Sequence, residues 1–379
     1  MSSHGAESFL RLTIGVKQGP TISRYPKRHA RKFGSRLPAA AVAAAVACVI
    51  SPAVAIADEG GTSFWAPGTF ASFSAIPQQP PGWSLAIVDY YTSANAGADV
   101  ATARAITTGR IPSTVRLDET STYKSGHDTV NINPGYAFAT PVFGGQFSVG
   151  VTIAAGTQTV ELDRALTAIV GSTVITRRVK EIDTATGFGD LNPLAQLRWS
   201  SGVHNWTTYV TGNVPVGTYN ARDLANIGVG HGAIDGGGGY TYYDAKKGSE
   251  FSVVTGATYN LINPNTNYQS GVDWHLDWAL SQAVSKEIYV GAVGYIYHQI
   301  SPDSGPGDHV GEFESRVIGV GPQINYTFTT GSVQTSLNLK GYWEFDATHR
   351  PAGWNAWLTV SFSPGEPDSD KPRRPKVTK

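Results

Sequence analysis

Cysteine is almost missing. The 379 residues hold one, Cys48, and a single methionine, Met1. One thiol cannot build a disulfide framework. Charge is sparse too, at 15% of residues. After position 57 no apolar run of about 20 residues occurs, so that part of the chain has no transmembrane helix.

The charge that is present is unevenly placed. Residues 1–36 carry eight basic side chains against one acid, Glu7. The stretch "LPAAAVAAAVACVISPAVAIADEGG" follows, and its apolar run ends in Ala55-Ile56-Ala57 before Asp58. A basic region, an apolar region and a small-x-small site read as a signal peptide over 1–57, with a membrane anchor as the alternative. A lipoprotein site at Cys48 is set aside, because Ala45-Val46-Ala47 is a poor box before it. The leader takes eight of the 29 basic residues and one of the 29 acidic ones, leaving 21 and 28, net −7. That balance argues against nucleic acid as a partner. The exported part has no cysteine, so other forces must hold it together.

What the chain has in quantity is 43 Gly, 17 Tyr and 9 Trp, together with alternation of period two. In "VNINPGYAF", Val130, Ile132, Pro134, Tyr136 and Phe138 share one face, while Asn131, Asn133 and Gly135 share the other. Such alternation over eight or more residues means strands with one apolar face. Twelve segments show it: 83–94, 127–139, 145–156, 188–199, 203–215, 233–244, 249–261, 271–283, 286–299, 314–328, 332–346 and 354–362. Their connections alternate between short turns such as "DAKKGS" and long loops, among them 95–126 and 157–187. An even strand number, alternating connections, strand lengths near the ~9–11 residues of a bilayer span and aromatics at strand ends predict an all-β fold. That fold is an antiparallel up-and-down transmembrane barrel of about 12 strands over 83–362, not a soluble sandwich. A barrel of this size has a backbone diameter of roughly 24 Å, which suits a narrow or partly plugged pore.

"DWHLDWALS", 273–281, looks at first like a metal or catalytic cluster. Strand geometry weakens that reading. Asp273 and Asp277 stand ~13 Å apart along one face, whereas metal bonds are ~2.0–2.6 Å. The alternation instead puts Trp274, Leu276, Trp278 and Leu280 toward lipid, with Asp273, His275 and Asp277 on a polar lumen wall. The same reasoning assigns Asp190, Arg198, Asp235, Lys340 and Glu344 to the lumen, as charges that line a polar path or pair with one another. No catalytic residue, metal site or cofactor is expected.

Two flanking segments lack the alternation. Residues 58–82, with Phe64, Trp65, Phe70 and Phe73, are too aromatic to be left in water. They are expected to plug the lumen, to cross its periplasmic mouth, or to pack on the barrel rim. Residues 363–379 are rich in Pro and charge and are expected to be a disordered periplasmic tail. "IDGGGGYTYY" sets four glycines inside a strand, marking a close approach or a bend.

Several blocks, among them "TGFGDLNPLAQLRW", "NIGVGHGAIDGGGGYTY", "GVDWHLDWALSQ" and "LKGYWEFDATHRPAGWNAWLT", carry a resemblance over about 60–364. The chain resembles the outer-membrane proteins grouped under the meta-pathway of phenol degradation, in particular the SphA-like transporters. The resemblance implies a Gram-negative outer-membrane barrel, with lipid, the outer-membrane assembly machinery and small, aromatic or hydrophobic solutes as its partners. It supplies no catalytic residues. The terminal aromatic common in such barrels stands here at Phe362, ahead of the tail. Passive transport is the leading function. Adhesion through the long loops and a barrel-embedded hydrolase are the alternatives.

Overall fold

The computed structural model describes residues 63–70, 72–73, 78–170, 173–311 and 314–365; the expected leader and nearly all of the expected tail lie outside them. Twelve strands run in chain order: β1 Gly82–Ala96, β2 Thr122–Val142, β3 Gly145–Val170, β4 Thr173–Ser201, β5 His204–Asn213 and β6 Ala233–Asp244. They continue as β7 Ser249–Asn260, β8 Asp273–Ala283, β9 Ile288–Gln299, β10 Arg316–Thr330, β11 Val333–Thr348 and β12 Ala352–Pro364. Each pairs antiparallel with its sequence neighbours, and β1 pairs with β12 from Leu85↔Phe362 to Asn95↔Ala352, closing the barrel. One helix, α1 Ala98–Thr107, lies in the β1–β2 connection.

The period-two pattern becomes an inside and an outside. On β8, Asp273, His275 and Asp277 are buried while Trp274, Leu276, Trp278 and Leu280 are not. Ile87, Val130, Ile132, Ile324, Leu339 and Leu358 all face outward with 37–51% of their surface exposed. A soluble monomer does not leave such a belt in water, whereas lipid requires it. Aromatic pairs edge the belt. Trp83 and Tyr136 meet at 5.2 Å near the short-turn end, and Tyr91 and Trp354 at 5.1 Å near the other.

Two connections differ from the sequence expectation. Residues 157–187 are not a loop. β3 and β4 continue as a hairpin for 26 and 29 residues, paired up to Val170↔Thr173. Beyond the bilayer no lipid demands an apolar face, so the alternation that marks a spanning strand fades there. The 95–126 segment contains α1, which packs on Tyr123, Val160 and Leu162 with Leu224 and Tyr268 from other long connections. This second core covers the long-loop end of the barrel. It is pinned by Glu181, which accepts bonds from Arg110 and Arg164, and by Asp183, which accepts from the Leu224 and Ala225 amides.

Asp89 departs from the apolar character of the belt. It is exposed on the outer face, in register with Val130 and Leu358 and two residues before Tyr91. A carboxylate there is solvated only by reaching toward the interface. Replacing it with leucine, Asp89→Leu, should stabilise the folded barrel by about 1 kcal/mol, given the modest cost of a lipid-facing acid near the interface. A shift of the urea midpoint to higher concentration in reversible refolding would show it.

Candidate functional site: an occupied lumen

The described residues before β1, 63–70, 72–73 and 78–81, meet inward-facing side chains of the barrel wall. Gln79 exchanges bonds with the Gln146 side chain, and the Gln78 amide donates to Ser200 Oγ, both near the short-turn end. Further along, the Phe73 amide donates to Glu250 Oε1, and its ring meets Tyr243 and Tyr289 edge-on. The chain then turns at Ala66–Phe70 between two walls. From β8, Asp277 accepts the Gly68 amide at 3.2 Å and the Phe70 amide at 2.9 Å. From β11, Lys340 donates to the Gly68 carbonyl at 2.6 Å. A carboxylate and an ammonium from two different strands thus hold one turn, and each charge gains partners that offset its loss of water.

Glycine at 68 is required twice over. Its φ is +91°, and a Cβ would sit 3.0 Å from the Tyr342 ring. Trp65 is the apolar anchor, 3% exposed, with its ring 3.5 Å from that of His275 and nearly parallel at 13°. Phe70 packs on Tyr209 at 4.8 Å. The wall that receives these rings is cut into a hollow by glycine. Tyr209, Gly237, Gly256 and His275 lie in one cross-strand row over β5 to β8. A Cβ on Gly237 would lie 2.7 Å from Tyr209 Oη, and one on Gly256 would lie 2.8 Å from His275. The glycines of "IDGGGGYTYY" therefore answer to a close approach: small residues between two rings make the bed on which Trp65 lies.

The expected lumen charges separate into groups. Asp235, Asp273, His275 and Asp277 come together on β6 and β8, but they are buried beneath the plug and the loops and do not line an open path. His275 Nε2 lies 2.9 Å from Asp235 Oδ2, Thr258 donates to the same oxygen, and Asn260 donates to Asp273. Arg198 stands apart near the short-turn end, and Gln78 Nε2 donates to its carbonyl. Asp190, Lys340 and Glu344 border a cavity of about 670 Å³ beside the plug, as do Phe64, Trp65, Phe70 and Phe73. Tyr90, Trp357 and Asn131 also line it, and alternation on their strands carried the signal that would have found them; Arg350 lines it from the β11–β12 connection, where no such pattern exists. No group of three or more metal-binding side chains occurs among the described residues.

Closed strand pairing, a lipid-facing belt and an occupied lumen define an outer-membrane barrel of the channel type. The chain belongs to the family described as "Putative MetA-pathway of phenol degradation", whose match spans residues 129–360. Among solved structures it is similar to the COG4313 outer membrane channel of Pseudomonas putida F1, with a TM-score of 0.52, 13% identity, and coverage of 79% of this chain and 98% of that one. A lesser likeness is to a Pseudomonas aeruginosa FadL homologue, with a TM-score of 0.32, 10% identity, and coverage of 82% and 97%. No functionally curated sequence matches the chain. Fold and family together place it in the outer membrane of a Gram-negative bacterium.

Removing the acceptor should release the plug. Asp277→Ala takes away two charge-assisted bonds and leaves Lys340 buried without its countercharge, an expected loss of about 3–5 kcal/mol of plug docking. Gly68→Ala should cost about 1–2 kcal/mol through its left-handed backbone alone. Limited proteolysis of the folded barrel checks both. Cleavage within 63–73 should be fast in Asp277→Ala, intermediate in Gly68→Ala and slow in the parent chain.

Proposed function

We propose that the chain is a passive channel for small aromatic or otherwise apolar solutes, held closed at rest by its own N-terminal segment. The observation that carries this reading is the turn Ala66–Phe70 clasped between Asp277 and Lys340. A barrel stabilised only for adhesion has no need of a reversible polar clasp inside its lumen. Nor is the hydrolase reading favoured by the buried histidine. His275 Nε2 faces Asp235, its Nδ1 has no hydrogen-bonding partner among the described residues, and Trp65 covers its ring.

Sideways passage through the wall is supported by a separate observation. Pro134 on β2 and Pro193 on β4 have no N–H to give to the ladder. Asn133 and Pro134 have no pairing partner on β3 although the register is the same on either side, from Ile132↔Ile153 to Gly135↔Gly150, and the register between β3 and β4 shifts between Ile153 and Ala155. Asn133, Thr152 and Asn192 line the cavity directly inside this stretch. A weakly laced wall beside the cavity offers an apolar solute a path to lipid that bypasses the covered long-loop end.

Single-channel recording in planar bilayers tests the central claim. The full exported chain should give small, rare openings. A variant lacking residues 58–77, which keeps the Gln78–Gln79 anchor, should give steady, larger steps. Equal steady conductance in both would sink the plug as a gate. Silence in both would sink the aqueous pore.

A further inference from the structure

The cavity beside the plug is chemically sorted, and the sorting bears on what it takes; this step rests on the channel reading above. Three of the four full charges on its border, Asp190, Glu344 and Lys340, are hydrogen-bonded, and the fourth, Arg350, is stacked on a ring. Asp190 accepts from Asn213, from the Gly217 amide and from the Val229 amide, at 2.8–2.9 Å. Glu344 accepts from Tyr295 Oη at 2.7 Å and from the Gly353 amide at 2.9 Å. Lys340 is committed to the plug, and Arg350 lies over the Tyr297 ring at 4.4 Å.

What faces the space is neutral and arranged in rows. Strand register aligns Asn325, Asn338, Thr359, Val88 and Asn131 across β10, β11, β12, β1 and β2. The neighbouring row toward the short-turn end aligns Ser336, Ser361, Ala86 and Asn133. The Asn131 amide has no side-chain partner among the described residues, and Asn338 donates only a long bond of 3.5 Å to the Ile324 carbonyl. Amides and hydroxyls offer donors and acceptors alike. On the other side of the Asn131 row, Tyr90 and Trp357 pair at 4.2 Å, with Trp65 and Phe70 bordering the same cavity. An aromatic shelf therefore stands next to a neutral hydrogen-bonding ribbon.

We infer that this cavity is a recognition site for an uncharged solute with a flat apolar body and hydroxyl or carbonyl groups, and that it rejects the carboxylate or ammonium form of the same skeleton. The flat body rests on Tyr90 and Trp357, and the polar groups reach Asn131 and Asn338. An ion entering the cavity would lose water, and to pair with Asp190, Glu344 or Lys340 it would have to displace the loop, strand or plug groups that each already binds.

Three probes that share one ring separate the possibilities: benzyl alcohol, benzoate and benzylammonium, titrated calorimetrically at neutral pH into the folded full-length barrel in nanodiscs, against protein-free discs. Benzyl alcohol should bind, and both ions should bind at least about tenfold more weakly. Asn131→Leu with Asn338→Leu should weaken benzyl alcohol about tenfold while benzoate stays weak. Heat-modified gel migration confirms that this variant is folded, and the comparison of three probes on the parent chain needs no variant at all. Equal or tighter binding of either ion overturns the inference, as does a folded double variant with unchanged affinity. Arabinose flux into liposomes carrying the chain without residues 58–77 reports separately on the channel. Flux without discrimination among the probes overturns the inference and leaves the channel standing. Discrimination without flux supports the recognition site and overturns the aqueous channel.

Discussion

A chain that crosses hydrocarbon with strands cannot leave a sheet edge unpaired, because each unmatched N–H or C=O there costs several kcal/mol. The pairing of β1 with β12 meets that demand and sets the conditions for everything else. Once twelve strands are closed, the interior is too wide to be filled by the side chains of its own wall. Something has to occupy it: water, a folded-in segment, or a solute. Here the interior is divided. The wall from β5 to β11 receives the N-terminal segment, while the strands from β11 through β12 to β4 border the cavity.

The occupied half explains residues that are puzzling when viewed one at a time. Asp277 and Lys340 are three strands apart around the barrel, and each would be a costly buried ion without the turn between them. With the turn in place, both are hydrogen-bonded and the Gly68 peptide uses its donor and its acceptor. The clasp is polar, so water can replace it. An apolar plug of the same size would leave behind a surface that water avoids. Trp65 adds the apolar share of the hold. The glycines at 237 and 256 let Tyr209 and His275 lie flat enough to receive it.

How much of this could be read from the residues depends on the surroundings of each stretch. Between lipid and lumen the contrast in polarity is greatest, and there alternation is a faithful guide: 233–244 matches β6 at both ends, and 249–261 differs from β7 by one residue. Above the belt the contrast vanishes. Thr173 to Lys180 of β4 is exposed on both faces and includes Arg177, Arg178 and Lys180, so nothing in its pattern separates strand from loop. The helix α1, "ADVATARAIT", is short and alanine-rich, and its packing against Val160 and Leu162 is a tertiary fact. The lumen charges were visible as a face but not as contacts. Asp277 and the Gly68 amide are 209 positions apart, and alternation cannot say what a side chain meets across a barrel. Alternation leaves open whether such charges line a path or pair with one another; the contacts formed by Asp277, Lys340 and Asp190 are with the plug and the loops.

Those locked charges also bear on how a solute would travel. A pore that selects by charge keeps its ionic groups hydrated and unpaired along the route. In this lumen Asp190 holds the loop that carries Gly217 and Val229, Glu344 holds the start of β12, and Lys340 holds the plug. Each of these ions hydrogen-bonds a loop, a strand start or the plug, so its polar atoms already have partners that a permeant would have to displace. The remaining wall has little pull on ions and a moderate pull on neutral molecules that can stack and hydrogen-bond. Pro134 and Pro193 each withhold a backbone N–H from the wall beside the cavity. On the proposed reading, the charges that hold the plug and the loops, and the prolines in the wall beside the cavity, act together: the first occupy the axis, and the second leave the side as the shorter way to lipid.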